Sequence, residues 1–293
     1  MTPRRRSILP YVVALLALAL SCRGDPTTVL TRLEDSRRVV AELRVHFSQA
    51  ADASNRAVMA GTDDASTVAA REAEQATTAV KTSAAALGRL LDGLSYANEA
   101  RMLQEFGVEF SRYEELDRRI LSLAVENTNL KAQALSFGAA SQAANGFRET
   151  LERFASTSVV KDRCRVDGLV ADAVRAVREI QVLHAPHIAE RDDASMTRVE
   201  KEMADLDAKA RAALTSLAEL SPAGARPEVA EALAKLDQFK AATAQIVELS
   251  RRNTNVLSLE LALRTKPPLA AACDDRIRAL QDALAKEGPK STR

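Results

Sequence analysis

Tryptophan is absent from the 293 residues, tyrosine occurs three times and phenylalanine seven. Flat aromatic platforms on which bases or sugars stack are therefore scarce. An excess of one charge is also missing: 41 Lys and Arg stand against 40 Asp and Glu, a net charge of +1. A nucleic-acid surface needs clustered positive charge, so nucleic acid is not an expected partner. There is no glycine-rich phosphate loop, no Gly-x-Ser-x-Gly elbow, no paired Cys-His signature and no Cys-x-x-Cys-His for covalent haem. Charged residues follow helix surfaces rather than converging, and the chain is expected to be neither an enzyme nor a carrier of a cofactor.

One long apolar run is present, over residues 8–20 behind Arg4-Arg5-Arg6. At 1.5 Å per residue it covers about 20 Å, short of the ~30 Å hydrocarbon slab, so it reads as the core of a signal peptide over residues 1–21 and not as a membrane span. The run closes on Ala19-Leu20-Ser21-Cys22, which resembles the lipobox of bacterial lipoproteins. That resemblance implies lipidation of Cys22, a short tether over 22–26, and, because Arg23 and not an aspartate follows, sorting to the outer membrane facing the periplasm. The alternative is an ordinary secreted or periplasmic protein cleaved near Ser21; Arg5-Arg6 also resembles, faintly, a twin-arginine signal. Either way the remaining chain is expected to be water-soluble within the cell envelope.

The mature chain repeats itself. Ile120-Leu121-Ser122-Leu123 leads into Asn127-Thr128-Asn129, and Ile246-Val247-Glu248-Leu249 leads into Asn253-Thr254-Asn255, so 127 maps to 253 at an offset of 126. Upstream, Asp63-Asp64-Ala65-Ser66 returns as Asp192-Asp193-Ala194-Ser195 at an offset of 129. Length changes settle in loops and not in packed helices, which places the three-residue difference in 222–227. A period this long repeats a whole supersecondary unit. The duplication gives a first helical repeat over 27–138 and a second over 139–293.

Tyr113, Leu116, Ile120, Leu123, Asn127, Leu130, Ala134 and Phe137 recur at spacings of three and four, which predicts one stripe of a long helix. Its copy runs from Phe239 through Asn253 to Leu263. Asp64 and Asp193 stand where N-caps belong, each ahead of an alanine-rich run. Breaks at Gly61-Thr62, 96–98, Gly138, 222–227 and Pro267-Pro268 predict helices near 27–60, 64–95, 98–137, 139–190, 192–220, 227–265 and 268–287, the fourth interrupted near Ser156-Thr157-Ser158 or Gly168 and kinked at Pro186. The expected fold is all-α, an elongated up-and-down helical bundle or two bundles built from a duplicated unit.

Residues 103–138 (LQEFGVEFSRYEELDRRILSLAVENTNLKAQALSFG), 179–203 (EIQVLHAPHIAERDDASMTRVEKEM) and 250–280 (SRRNTNVLSLELALRTKPPLAAACDDRIRAL) carry a family resemblance. They are similar to the extracytoplasmic four-helix-bundle sensor domain of methyl-accepting chemotaxis receptors. The resemblance implies recognition of a small solute, directly or through a binding protein, and a small helix displacement as output. Such receptors continue into a second membrane span and a cytoplasmic signalling coiled coil, whereas this sequence ends at Arg293. A sensory role is therefore expected to work through a partner receptor in the membrane.

Candidate site residues follow. Asn127 and Asn253 each place an amide on an apolar stripe, where an unpaired amide costs about 1–3 kcal/mol. They either set helix register by bonding each other or the backbone, as a core Asn does in coiled coils, or line a polar pocket with Asn129, Asn255 and Arg252. His184 and His187, with Glu190, share a helical face and form a weak metal candidate; His46 is the only other histidine. Cys164 and Cys273 remain after processing, and a disulfide between them is compatible with an oxidising envelope. The expected function is binding of a small solute or a partner receptor in chemotaxis-type signal transduction, with a second copy of the chain as a further partner in a homodimer. The competing reading is a structural or interaction lipoprotein in which the helices present a surface and bind no small ligand, and a third is a periplasmic metal carrier using His184 and His187.

Overall fold

A computed structural model describes residues 26–157, 162–220 and 226–288. The expected signal peptide, Cys22 and the tether through residue 25 lie outside the described residues, as does most of the 222–227 loop. The described residues are helical almost throughout, with no strand among them. Its elements are α1 (Pro26–Met59), α2 (Asp63–Leu94), α3 (Ala97–Glu126), α4 (Thr128–Leu135), a π-turn (Ser136–Ala140) and α5 (Ser141–Thr157). The second series is α6 (Arg163–Ala189), α7 (Asp193–Leu220), α8 (Arg226–Arg252), α9 (Thr254–Glu260), a second π-turn (Leu261–Thr265) and α10 (Lys266–Lys286). Among the described residues no helix is long and apolar enough to cross a membrane.

Two compact units result, and they do not follow the repeat boundary. Residues 26–52, 73–114 and 268–288 belong to the first, and 53–72 with 115–267 to the second. The first unit is an up-and-down bundle of α1, α2, α3 and α10. Its core joins Leu43 and Phe47 of α1, Val80, Leu87 and Leu91 of α2, Phe106, Phe110 and Tyr113 of α3, and Cys273, Ile277, Leu280 and Leu284 of α10. The spacing of the α10 residues, four, three and four, gives a narrow seam suited to burial between antiparallel neighbours. Phe47 meets Tyr113 edge-on at 5.1 Å, and Phe106 stacks on Phe110 at 5.5 Å, geometries that suit the ring quadrupoles. Arg37 closes the end of α10 by donating to the carbonyls of Leu284, Ala285 and Glu287 at 3.0, 3.2 and 2.8 Å, groups with no partner inside the helix.

The second unit holds α5, α6, α7 and α8. Phe147, Leu151 and Phe154 of α5 pack with Val177 and Ile180 of α6, Leu206, Leu214 and Leu217 of α7, and Leu236, Phe239 and Ile246 of α8. Alanines at 143, 144, 173, 210, 213 and 232 sit between them, and their small side chains let the backbones approach closely. The first bundle thus takes α10 from the second repeat, whereas all four helices of the second bundle lie within residues 139–293.

Several sequence expectations change here. The helices expected at 98–137 and 227–265 are each interrupted at an asparagine, and the breaks expected at Gly138 and Pro267-Pro268 are not breaks. Gly138 lies inside a π-turn that continues into α5, and the two prolines directly follow the second π-turn, where the Lys266 N–H bonds back five residues to the Leu261 carbonyl in place of the regular four. The apolar stripe also fails beyond Asn127. Thr128, Asn129 and Ala132 are buried, whereas Phe137 is 75% exposed and its copy Leu263 68% exposed. A left-handed residue followed by a π-turn restarts the helix in a different phase, so the 3.6-residue period no longer carries one face inward. The caps move upstream, by two residues in the first copy and one in the second: Ala65 donates its N–H to Thr62 Oγ1 at 3.2 Å, and Ser195 donates to Asp192 Oδ2 at 2.8 Å, so Thr62 and Asp192 serve, not Asp64 and Asp193. Pro186 stays within α6, three residues from its end. Cys164 and Cys273 are not bridged: Cys164 is exposed in the first turn of α6, and Cys273 is a buried thiol in the core of the first unit.

Candidate functional site

Asn127 and Asn253 both adopt left-handed backbone, with φ 50° and 54°. Among non-glycine residues Asn is one of the few that accepts this region readily, which explains why the same residue ends both long helices. The bend brings the two copies of Asn-Thr-Asn against each other in a reciprocal clasp inside the second unit. Thr128 donates its N–H to Thr254 Oγ1 and Thr254 donates to Thr128 Oγ1, both at 3.1 Å. The N–H of Asn129 donates to Asn255 Oδ1 and that of Asn255 to Asn129 Oδ1, again both at 3.1 Å. Asn129 Nδ2 reaches Asn253 Oδ1 at 2.9 Å, and Asn255 Nδ2 reaches Asn127 Oδ1 at 2.8 Å. Such i-to-j and j-to-i pairing has the form of a twofold contact, here within one chain.

The clasp is not fully symmetric. Asn129 and Asn253 also donate to the carbonyls of Ile188 and Glu190 at 2.7 and 2.8 Å, and so grip the end of α6. Asn127 Nδ2, by contrast, is buried with no hydrogen-bond partner among the described residues. Arg252 lies outside this core; it is exposed and pairs with its own repeat copy, Glu126, at 2.6 Å.

His184 and His187 face inward from α6, 1% and 0% exposed. His187 Nδ1 lies 2.6 Å from Ser250 Oγ, and its Nε2 lies 2.8 Å from Glu200 Oε1. A carboxylate only accepts, so the ring carries its proton at Nε2. Arg251 donates to both Glu200 oxygens, at 2.7 and 3.0 Å, and this guanidinium, with the hydrogen bond from His187, holds the Glu200 carboxyl below its ordinary range. His184 sits between two hydroxyls, Ser136 Oγ at 3.0 Å from Nδ1 and Thr243 Oγ1 at 3.1 Å from Nε2. Burial, followed by the nearby His187, pushes its pKa down to about 4. Glu190 points elsewhere: its Oε1 accepts the N–H groups of Arg191 and Asp192 at 2.7 and 2.9 Å. Among the described residues no group of three His, Cys, Asp or Glu side chains is placed to hold a metal. His46, in the first unit, bonds Ser83 at 3.1 Å.

In front of the histidines, α6, α7 and α8 leave an open groove of about 410 Å³. Met203, Ala204, Phe239 and Val247 form its apolar surface, and Glu200, Asp207, Lys240 and Thr243 supply the polar groups. Two of those four, Glu200 and Thr243, are the partners of the buried Nε2 atoms. A bound molecule would therefore touch residues hydrogen-bonded to each imidazole. A further polar cluster is sealed: Lys266 Nζ meets Asp117 Oδ1 at 2.8 Å and Ser54 Oγ at 2.7 Å, with Ser54 0% exposed. Its serine and lysine are adjacent, and Lys266 too is buried, 3% exposed.

Ser136, Thr243, Glu200 and Ser250 were not legible from sequence, because each meets its histidine only through the tertiary fold. Thr128 and Thr254 were visible, since both lie inside the repeated motif. The chain matches no protein-family model and no curated protein.

Proposed function

We propose that the protein is a sensor-type module of the bacterial cell envelope, lipid-anchored through Cys22, that binds a small solute in the α6–α7–α8 groove and passes occupancy to a partner receptor. The observation that carries this reading is the bonding of two groove residues, Thr243 and Glu200, to buried histidines of α6, whose last carbonyls are gripped by Asn129 and Asn253. A solute that favours one arrangement of Glu200 and Thr243 shifts the population of α6 positions and, through them, of the clasp. The resemblance to chemotaxis-receptor sensor domains points the same way. Calorimetry of the purified protein against pooled envelope metabolites tests the reading, with Ala244→Phe as a variant that fills the groove. Saturable binding lost in that variant supports it; binding that survives the substitution, or no binding from any pool, defeats it. Incorporation of labelled palmitate, abolished by Cys22→Ser, tests the anchor separately.

A scaffold without a small ligand is the second reading. It is favoured by the internal saturation of most of the clasp and by Phe137 and Leu263, apolar side chains left exposed at matching positions of the two repeats.

A further inference from the structure

We infer that the groove takes a linear aliphatic diamine, a proposal that rests on the reading of the groove as a solute site. Glu200 and Asp207 both line it from α7, seven residues apart. At 1.5 Å per residue that is two helical turns on one face, about 10.5 Å along the axis. Between them the surface is apolar, with Met203 and Ala204 from α7 and Phe239 and Val247 from α8. Each carboxylate keeps acceptor capacity. Glu200 Oε1 accepts from His187 and Arg251, whereas among the described residues Oε2 takes only Arg251 Nη2 at 3.0 Å. Asp207 Oδ2 accepts Arg211 Nε and Lys240 Nζ at 3.0 and 3.2 Å, and Oδ1 has no hydrogen-bond partner among the described residues. An oxygen with unfilled lone pairs beside an apolar surface suits a charged N–H donor.

Ligand length follows from the same geometry. The nitrogens of an extended four-carbon diamine are about 6 Å apart, and charge-assisted hydrogen bonds of about 2.8 Å at each end extend the reach to about 11 Å, close to the axial spacing of residues 200 and 207. The methylenes then lie on the apolar surface. The protein's own Lys240 ammonium already sits at the Asp207 end, so this wall accepts an alkylammonium, and the diamine's second nitrogen competes with it. A dicarboxylate of the same length brings no N–H donor to the open lone pairs of Glu200 and Asp207.

Calorimetric titration of the full-length protein with 1,4-diaminobutane, 1-aminobutane, 1,4-butanediol and succinate is the test. The diamine is expected to bind at least about tenfold more tightly than the monoamine, with the diol and succinate silent. Asp207→Asn should weaken the diamine about tenfold, and Lys240→Ala should tighten it several-fold by removing the competing ammonium, a gain that damage to the fold cannot produce. Failure of the diamine to bind, equal affinity for the monoamine, or weakening by Lys240→Ala overturns the inference. Succinate or the diol binding in its place, blocked by Ala244→Phe, overturns the diamine while leaving the groove as a solute site. Silence of all four together with the metabolite pools overturns both.

Discussion

Acidification should weaken the second unit through His184, and the size of the effect can be worked from its surroundings. In the unfolded chain the imidazole titrates near 6.5, whereas in the fold, buried between Ser136, Thr243 and the Phe239 ring and close to His187, it titrates at about 4. Between these values the unfolded state binds a proton that the folded state does not, so stability falls as pH falls. The loss begins near pH 6.5 and is complete below about 4. Two and a half units at 1.36 kcal/mol each give about 3 kcal/mol, a substantial share of a domain's 5–15 kcal/mol. Glu190, Asp192 and Glu200, whose carboxyls are held below their ordinary range, also lose stabilisation on acidification, so the comparison must be made against a chain lacking only the imidazole. Urea unfolding of wild type and His184→Gln at pH 7, 6, 5 and 4, followed by circular dichroism and by hydrogen exchange of α5 and α6 peptides, isolates the term. Wild type should lose about 3 kcal/mol more than the variant between pH 7 and 4. Parallel curves, or a steeper loss in the variant, would refute the assignment of His184 as a group buried neutral.

At Asn253, where φ is 54°, Ala and Gly both remove the side-chain bonds, but only Ala places a β-carbon in left-handed backbone; thermal unfolding should find Asn253→Ala less stable than Asn253→Gly by about 1 kcal/mol. The reverse order would mean that the helix simply continues through the variant. Lys266→Met leaves the Asp117 carboxylate buried without its cation and should cost about 3–5 kcal/mol, most of it recovered by adding Asp117→Leu; no recovery would show that the pair does more than neutralise itself. In a Cys22→Ser background a thiol reagent should modify exposed Cys164 promptly. Cys273, buried and with its thiol pushed up to about 12 by desolvation and Glu109, should react only on unfolding, and one thiol titrating in the native state with two in denaturant is the expected count.

Periodicity carried much of the helical layout. The starts and ends of α1, α2 and α7 fall within a residue of the expected 27–60, 64–95 and 192–220, and α5 ends at Thr157 in the expected Ser156-Thr157-Ser158 interruption although α6 starts only at Arg163, because those signals are local chemistry. Ser95 shows how local: with φ 58° it ends α2, and Tyr96 donates its N–H back to the Leu91 carbonyl at 3.1 Å, a closure written in a few adjacent residues. The candidate site was only half legible. The repeated Asn-Thr-Asn announced that two segments are equivalent. It did not announce that they meet, or that Asn127 and Asn253 leave the right-handed helix to do so. A helical stripe counted by threes and fours assumes unbroken phase, and one left-handed residue cancels that assumption for Phe137 and Leu263.

The sequence by itself determined that this protein is helical, duplicated and almost neutral, and it singled out Asn127, Asn253, His184 and His187 among the polar residues that face inward. Those properties depend on composition and on neighbours three or four positions away. Tertiary structure alone decided that α10 completes the first bundle and α5 the second, that His187 meets Glu200 and His184 meets Ser136 and Thr243, and that a groove with two carboxylates lies in front of them. Such pairings join residues up to 128 positions apart in the clasp, where the choice of partner rests on which apolar seams bury together and not on any local preference.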